Sequence, residues 1–83
     1  MKEMDTVEVI VEKEKYAKEG VHKGMQGWIC YDDGSNEEWL VNFPQYGEKP
    51  DIATISVKEE DLILLPKGMD AKVNERIKEE FGD

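Results

Sequence analysis

The chain has 83 residues, which gives room for one domain, and its 11 Lys and Arg residues against 20 Asp and Glu leave a formal net charge of -9. This acidity argues against DNA or RNA as the main partner, because like charges oppose binding to the phosphate backbone. The single cysteine excludes an intrachain disulfide and favours a reducing compartment.

The first predicted element is a β-strand over residues 6–12, where β-branched residues dominate and alternate with polar ones. The charged segment 13–23 predicts a long loop. Because a loop of this length needs an anchor, we expect Tyr16 and Val21 to tuck against the edge of the sheet. The residues that the strand turns to the core are Val7, Val9 and Val11.

Two glycines three residues apart, Gly24 and Gly27, predict a tight turn that feeds a strand over residues 26–31. Alternation along this strand places Gly27, Ile29 and Tyr31 on one face, which we expect to be the core face.

A run of turn-forming residues at 32–36 predicts a hairpin into the next strand, residues 38–43. Pro44 ends that strand because proline cannot donate to the sheet. Its inward residues are expected to be Trp39, Val41 and Phe43.

After a turn at 45–50, residues 52–57 resume β chemistry, with Ala53, Ile55 and Val57 toward the core. The polar segment 58–61 predicts a single helical turn. A closing strand is then expected over residues 62–65.

Beyond residue 68 the apolar period changes from two to four, which predicts an amphipathic helix over residues 69–81. Asp70 is the expected N-cap, and Gly82 is expected to end the helix. The apolar stripe of this helix consists of Met69, Val73, Ile77 and Phe81.

The helix needs a surface, and the sheet face opposite the core needs a cover. We expect the helix to lie across that face, the other candidates being a second copy and a foreign partner. The apolar residues expected on that face are Ile10, Trp28, Cys30 and Leu40.

This order of elements resembles the SH3-like small barrels, and specifically the bacterial family of SH3-like domains known as DUF4926, over residues 5–65. The resemblance implies an SH3-like five-stranded barrel, from which the C-terminal amphipathic α-helix departs. The expected fold is therefore mainly β, a five-stranded SH3-like barrel followed by that helix, in one domain of residues 1–83. The family has no established catalytic residues to carry over. The matching residues are Asp5, Val7 to Val11, Gly20, Gly24 to Ile29, Trp39 to Phe43, Val57 and Leu62.

The sequence offers few groups for catalysis, with one His, one Cys and no glycine-rich phosphate loop. His22 falls in a charged turn and Cys30 inside a strand, so we expect a solvated histidine and a packing thiol. The acidic clusters lack the alternating spacing of a calcium loop. We therefore expect no enzyme activity, no metal and no cofactor.

We expect instead a non-catalytic acidic module that binds a basic protein, since charge complementarity speeds association. An inhibitor or toxin-immunity role suits such a domain. The alternatives are a KOW-like nucleic-acid or ribosome-associated domain, implied by the glycine turn, and an accessory domain of a larger enzyme. The expected contact residues are three exposed aromatic rings, those of Tyr16, Trp28 and Tyr46, and four acids, Glu37, Glu38, Glu59 and Glu60.

No apolar run reaches membrane-spanning length, and residues 1–5 lack the apolar segment of a signal peptide. We expect a cytoplasmic protein, monomeric or homodimeric, that binds neither membranes nor nucleic acid.

Overall fold

A computed structural model describes residues 1–32 and 37–82 of the chain. It shows five antiparallel strands in one sheet, in the order β4-β3-β2-β1-β5, which curls into a half-barrel beside a C-terminal helix. The mainly β fold with a C-terminal helix is thus confirmed. The elements are β1 (Thr6–Val9), α1 (Glu14–Ala17), β2 (Gln26–Asp32), β3 (Glu38–Phe43), β4 (Ala53–Lys58), a 3-10 turn (Glu59–Asp61), β5 (Leu62–Leu64) and α2 (Ala71–Phe81).

The core lies on the concave face of the sheet and is built from the alternating residues that the sequence indicates. Apolar residues of the segment before β2 belong to the same core, and Ile77 of α2 packs against it. Burying such side chains stabilises a domain by about 1.5–3 kcal/mol each. The buried members are Val7, Val9, Tyr16, Val21, Met25, Ile29, Val41, Phe43, Val57 and Leu62.

The predicted loop between the first two strands contains the short helix α1, and both of its expected anchors are confirmed. Tyr16 is only 2% exposed and Val21 is fully buried. The first strand ends at Val9 rather than residue 12, although Val11 still packs against the core. Val9 is the last strand residue, and its backbone bonds to Gly24 and Met25 just before β2.

The second strand departs from simple alternation at Cys30. Ile29 lies opposite Val41 and Tyr31 lies opposite Leu40, so the extra residue between them forms a bulge. The bulge turns Tyr31 to the outer face, where it is 52% exposed, and the prediction that it faces the core is wrong. Of the hairpin predicted at 32–36, residues 33–36 lie outside the described residues.

The two glycines of the turn before β2 are required for different reasons. Gly24 has φ of +93°, which L side chains rarely adopt. Gly27 has an ordinary φ, but a Cβ there would lie 2.3 Å from the carbonyl oxygen of Asn42 on the neighbouring strand. The prediction that this turn needs glycine at both positions is therefore supported by the geometry.

Both predicted caps of α2 are confirmed, although the helix begins at Ala71 rather than residue 69 and lies in a different place. The Asp70 side chain accepts from the amide of Lys72 at 2.9 Å, and Gly82 adopts the left-handed conformation with φ of 73°. Ile77 of the stripe packs against the core, so the prediction that the helix lies across the outer face is wrong. Phe81, at the end of the stripe, is 51% exposed.

A buried amide fixes this position. Asn74 is fully buried, its Oδ1 accepts from the amide of Gln26 at 2.6 Å, and its Nδ2 donates to the carbonyls of Gln26 and Pro44. The helix is thereby tied to the start of β2 and the end of β3. Neither helix in the part of the chain that the structure describes has the length and apolar character needed to cross a bilayer.

Candidate protein-binding cleft

A cleft of about 620 Å³ opens where β3 begins and β4 ends. Its lining includes Glu37 and Glu38 at the start of β3, and Glu59 and Glu60 of the 3-10 turn. The remaining lining residues are Met1, Lys58 and Leu62. All four glutamates that the sequence analysis proposes for partner contact therefore meet in one place.

The pairing of β3 with β4 explains why two pairs of glutamates that are distant in sequence become neighbours. Glu38 lies directly opposite Lys58 in the register. One step further out, the amide of Glu59 donates to the carbonyl of Glu37 at 2.7 Å. The indole Nε1 of Trp39 also donates to Glu59 Oε1 at 2.9 Å, so the start of β3 and the 3-10 turn are joined by hydrogen bonds.

The cleft has one sign of charge and an apolar part. Its lining has four glutamates and one lysine, Lys58, while Met1 and Leu62 are its apolar residues. A concave surface lined by one sign of charge focuses the electrostatic field and attracts the opposite charge. Such a lining suits a lysine or arginine side chain, which combines an aliphatic stem with a cationic tip.

Behind the cleft lies a buried polar cluster centred on Asp61. Its Oδ2 accepts from the Tyr16 hydroxyl at 2.6 Å and from Lys13 Nζ at 2.8 Å. Burial acts to raise the pKa of the Asp61 carboxyl, but the hydrogen bonds from Lys13 and Tyr16 outweigh it and hold this pKa below its usual value. Burial, together with the bond to Asp61, raises the pKa of Tyr16 to about 12.

The three aromatic residues expected at the contact surface do not form one. Tyr16 is buried, so the prediction that its ring is exposed is wrong. Trp28 is half-buried on the outer face, paired across the sheet with Asn42. Tyr46 is 51% exposed, but Lys72 of α2 places its Nζ 4.9 Å from the ring centroid.

His22 is buried beside a carboxylate, and Cys30 is half-buried in β2. His22 is 5% exposed, which corrects the expectation of a solvated histidine. Its Nδ1 lies 2.7 Å from Glu12 Oε2, and its ring stacks on Phe81 at 3.7 Å. Burial raises the pKa of the half-buried Cys30 thiol, which disfavours the reactive thiolate. Among the described residues, no group of three His, Cys, Asp or Glu side chains is placed to hold a metal ion.

Sequence reasoning missed the residues that organise this region, Asp61 and Trp39 at the cleft and Asn74 on the helix. Asp61 was indistinguishable from its neighbours in a run of acids, because its partner Tyr16 lies 45 residues away. A signal did exist at Asn74, since an uncharged amide directly follows Val73 of the apolar stripe.

Comparison with known proteins adds no relative from which a function can be transferred. No family model, no curated protein and no solved structure matches the chain. The role of the cleft therefore has to be argued from its own residues and their chemistry.

Proposed function

We propose that this protein is a non-catalytic binding module whose acidic cleft receives a basic segment of a partner protein. The observation that supports this proposal is the convergence of Glu37, Glu38, Glu59 and Glu60 around one concave surface. Scattered glutamates would serve solubility equally well. Their meeting in a cleft with an aliphatic part favours recognition of lysine or arginine side chains.

The strand order supports a further proposal, that the fold is of the SH3-like type. The last strand, β5, returns to pair with β1, and a 3-10 turn precedes it. Membership of the DUF4926 family is part of the same proposal and rests on the sequence resemblance. An inhibitor or toxin-immunity role is one form that binding to a basic partner would take.

The size of the electrostatic contribution follows from the exposure of the carboxylates. Exposed ion pairs contribute about 0.2–1 kcal/mol each, so four pairs contribute roughly 1–4 kcal/mol in total. That range corresponds to a change in affinity of roughly 5-fold to 1,000-fold. Association should be fast and should weaken as salt is raised, because surface charges are screened beyond about 8 Å at physiological ionic strength.

The test compares two variants with the same net charge, using a lysine-rich synthetic peptide as the probe. The cleft variant replaces Glu37, Glu38, Glu59 and Glu60 by Gln. The matched control replaces four exposed glutamates elsewhere by Gln, at Glu14, Glu19, Glu79 and Glu80. We expect the cleft variant to lose on the order of tenfold or more in affinity, and the control to stay within about threefold of the wild type.

Equal losses in the two variants would mean that the peptide responds to net charge rather than to the cleft, and would contradict the proposal. A gel shift with a small set of oligonucleotides supplies the second comparison. Saturable submicromolar binding there would replace the basic protein by nucleic acid as the partner.

A further inference from the structure

The hydroxyl group of Tyr16 joins the two residues that flank Glu59 and Glu60. It accepts from the amide of Lys58 at 3.2 Å and donates to Asp61 Oδ2 at 2.6 Å. Lys58 directly precedes Glu59, and Asp61 directly follows Glu60. One buried oxygen atom is therefore hydrogen-bonded at both ends of the Glu59–Glu60 segment, which lines the cleft.

The rest of Tyr16 makes this oxygen a fixed point. The phenol ring is a member of the core and is 2% exposed, so its position is set by packing. A second bond, from Lys13 Nζ to the same Asp61 oxygen at 2.8 Å, compensates the buried negative charge. Without that compensation a buried carboxylate would be strongly unfavourable.

We propose that Tyr16 is a positioning residue for the cleft, which acts without touching the partner. Its hydroxyl fixes the Lys58–Asp61 backbone and thereby keeps the carboxylates of Glu59 and Glu60 in place in the cleft that Glu37 and Glu38 also line. This inference rests on the proposed function of the cleft. It also gives Tyr16 a role different from the contact role that the sequence suggested.

The variant that tests this role is Tyr16→Phe, which keeps the ring and removes the hydroxyl. Tyr31→Phe is the matched control, since Tyr31 lies half-exposed on the outer face. The first measurement is the NMR resonance of the Trp39 indole N–H, which donates to Glu59 and so reports the position of the turn without any ligand. We expect this resonance to shift in Tyr16→Phe and to stay unchanged in Tyr31→Phe.

The second measurement is affinity for the lysine-rich peptide. Tyr16→Phe is expected to weaken binding by about threefold to tenfold. The reason is that losing a hydrogen bond to the charged Asp61 releases the neighbouring Glu59 and Glu60. In a background with Glu59→Gln and Glu60→Gln the same change is expected to have no further effect. A general destabilisation of the fold would instead weaken binding equally in the wild-type background and in the Glu59→Gln, Glu60→Gln background.

Three outcomes overturn the inference: an unchanged indole resonance, a shifted resonance with unchanged affinity, or equal losses in both backgrounds. If the wild type does not bind the peptide, the proposed function fails, while the indole resonance still decides whether Tyr16 positions the turn. Should Tyr16→Phe fail to fold, Asp61→Asn removes the charged acceptor of the same bond. The same shift and loss of affinity are then expected.

Discussion

Replacing Asn74 by Ala should destabilise the protein, although alanine is the better helix former. Asn74 is the fully buried polar residue of α2, and its amide satisfies the amide and carbonyl of Gln26 and the carbonyl of Pro44. The variant removes all three bonds at once. It also leaves three backbone groups without their partners in a site closed to solvent.

The magnitude follows from two opposing contributions. A typical hydrogen bond contributes about 1 kcal/mol net, so three give about 3 kcal/mol. Helix propensity favours Ala over Asn by about 0.5 kcal/mol. The expected loss is therefore about 2.5 kcal/mol, which lowers Tm by roughly 10–20 °C in a domain of this size. If helix propensity alone acted, the variant would be more stable than the wild type. The sign of the change in unfolding free energy therefore decides between propensity and the lost hydrogen bonds.

The assay is thermal and urea unfolding followed by circular dichroism. Arg76→Ala serves as the control, because Arg76 is exposed two residues further along the same helix and should change stability by less than about 0.5 kcal/mol. A stabilised Asn74→Ala, or a loss below about 1 kcal/mol, would refute the conclusion that this amide ties the helix to the sheet.

Ile77→Asp should cost about 2–4 kcal/mol, because Ile77 packs against the core and an aspartate there would have to be desolvated; denaturant unfolding measures this. Gly27→Ala should cost about 3 kcal/mol or prevent folding, since its Cβ would lie 2.3 Å from a backbone oxygen and the strands would have to separate; the yield of folded protein and Tm report it. Stability should also fall between pH 10 and 12, because the pKa of Tyr16 is raised from 10.0 to about 12 in the folded protein and the unfolded chain loses this proton first. The loss is about 3 kcal/mol at most, and the difference in unfolding free energy between wild type and Tyr16→Phe across this range measures it.

Each of these changes has a matched comparison. Ile63→Asp alters an exposed isoleucine of β5 and should change stability by less than about 1 kcal/mol. Gly47→Ala meets no neighbour but has a positive φ, so only a backbone cost of about 1–2 kcal/mol is expected. Losses as large as those at Ile77 and Gly27 would show that the substitution itself, and not the contact, sets the effect.

The features that sequence analysis predicted well depend on short-range chemistry. The bounds of β3 agree with the prediction because strand-forming residues continue up to Pro44, which cannot donate to the sheet. Asp70 and Gly82 cap the start and the end of the helix as predicted, because caps depend on the local backbone. The 3-10 turn Glu59–Asp61 follows in the same way from three consecutive polar residues.

The features that it missed depend on contacts between distant residues. The bulge at Cys30 arises from how β2 meets β3, which a single strand does not reveal. The position of α2 depends on where Ile77 and Asn74 find partners, and an amphipathic pattern alone does not select a surface. The sequence correctly predicts Tyr16 as an anchor of its loop. Its hydrogen bond to Asp61 spans 45 residues, so the sequence does not reveal that Tyr16 is buried rather than exposed to a partner.

The central claim, that the cleft is the binding surface, is tested most directly by NMR titration of the isotope-labelled protein with the lysine-rich peptide. If the peptide binds in the cleft, the amides that shift are confined to Glu37, Glu38 and the segment Lys58–Asp61, together with the Trp39 indole N–H. Shifts spread evenly over all acidic residues, or concentrated around Trp28 and Tyr31 on the outer face, would contradict this claim.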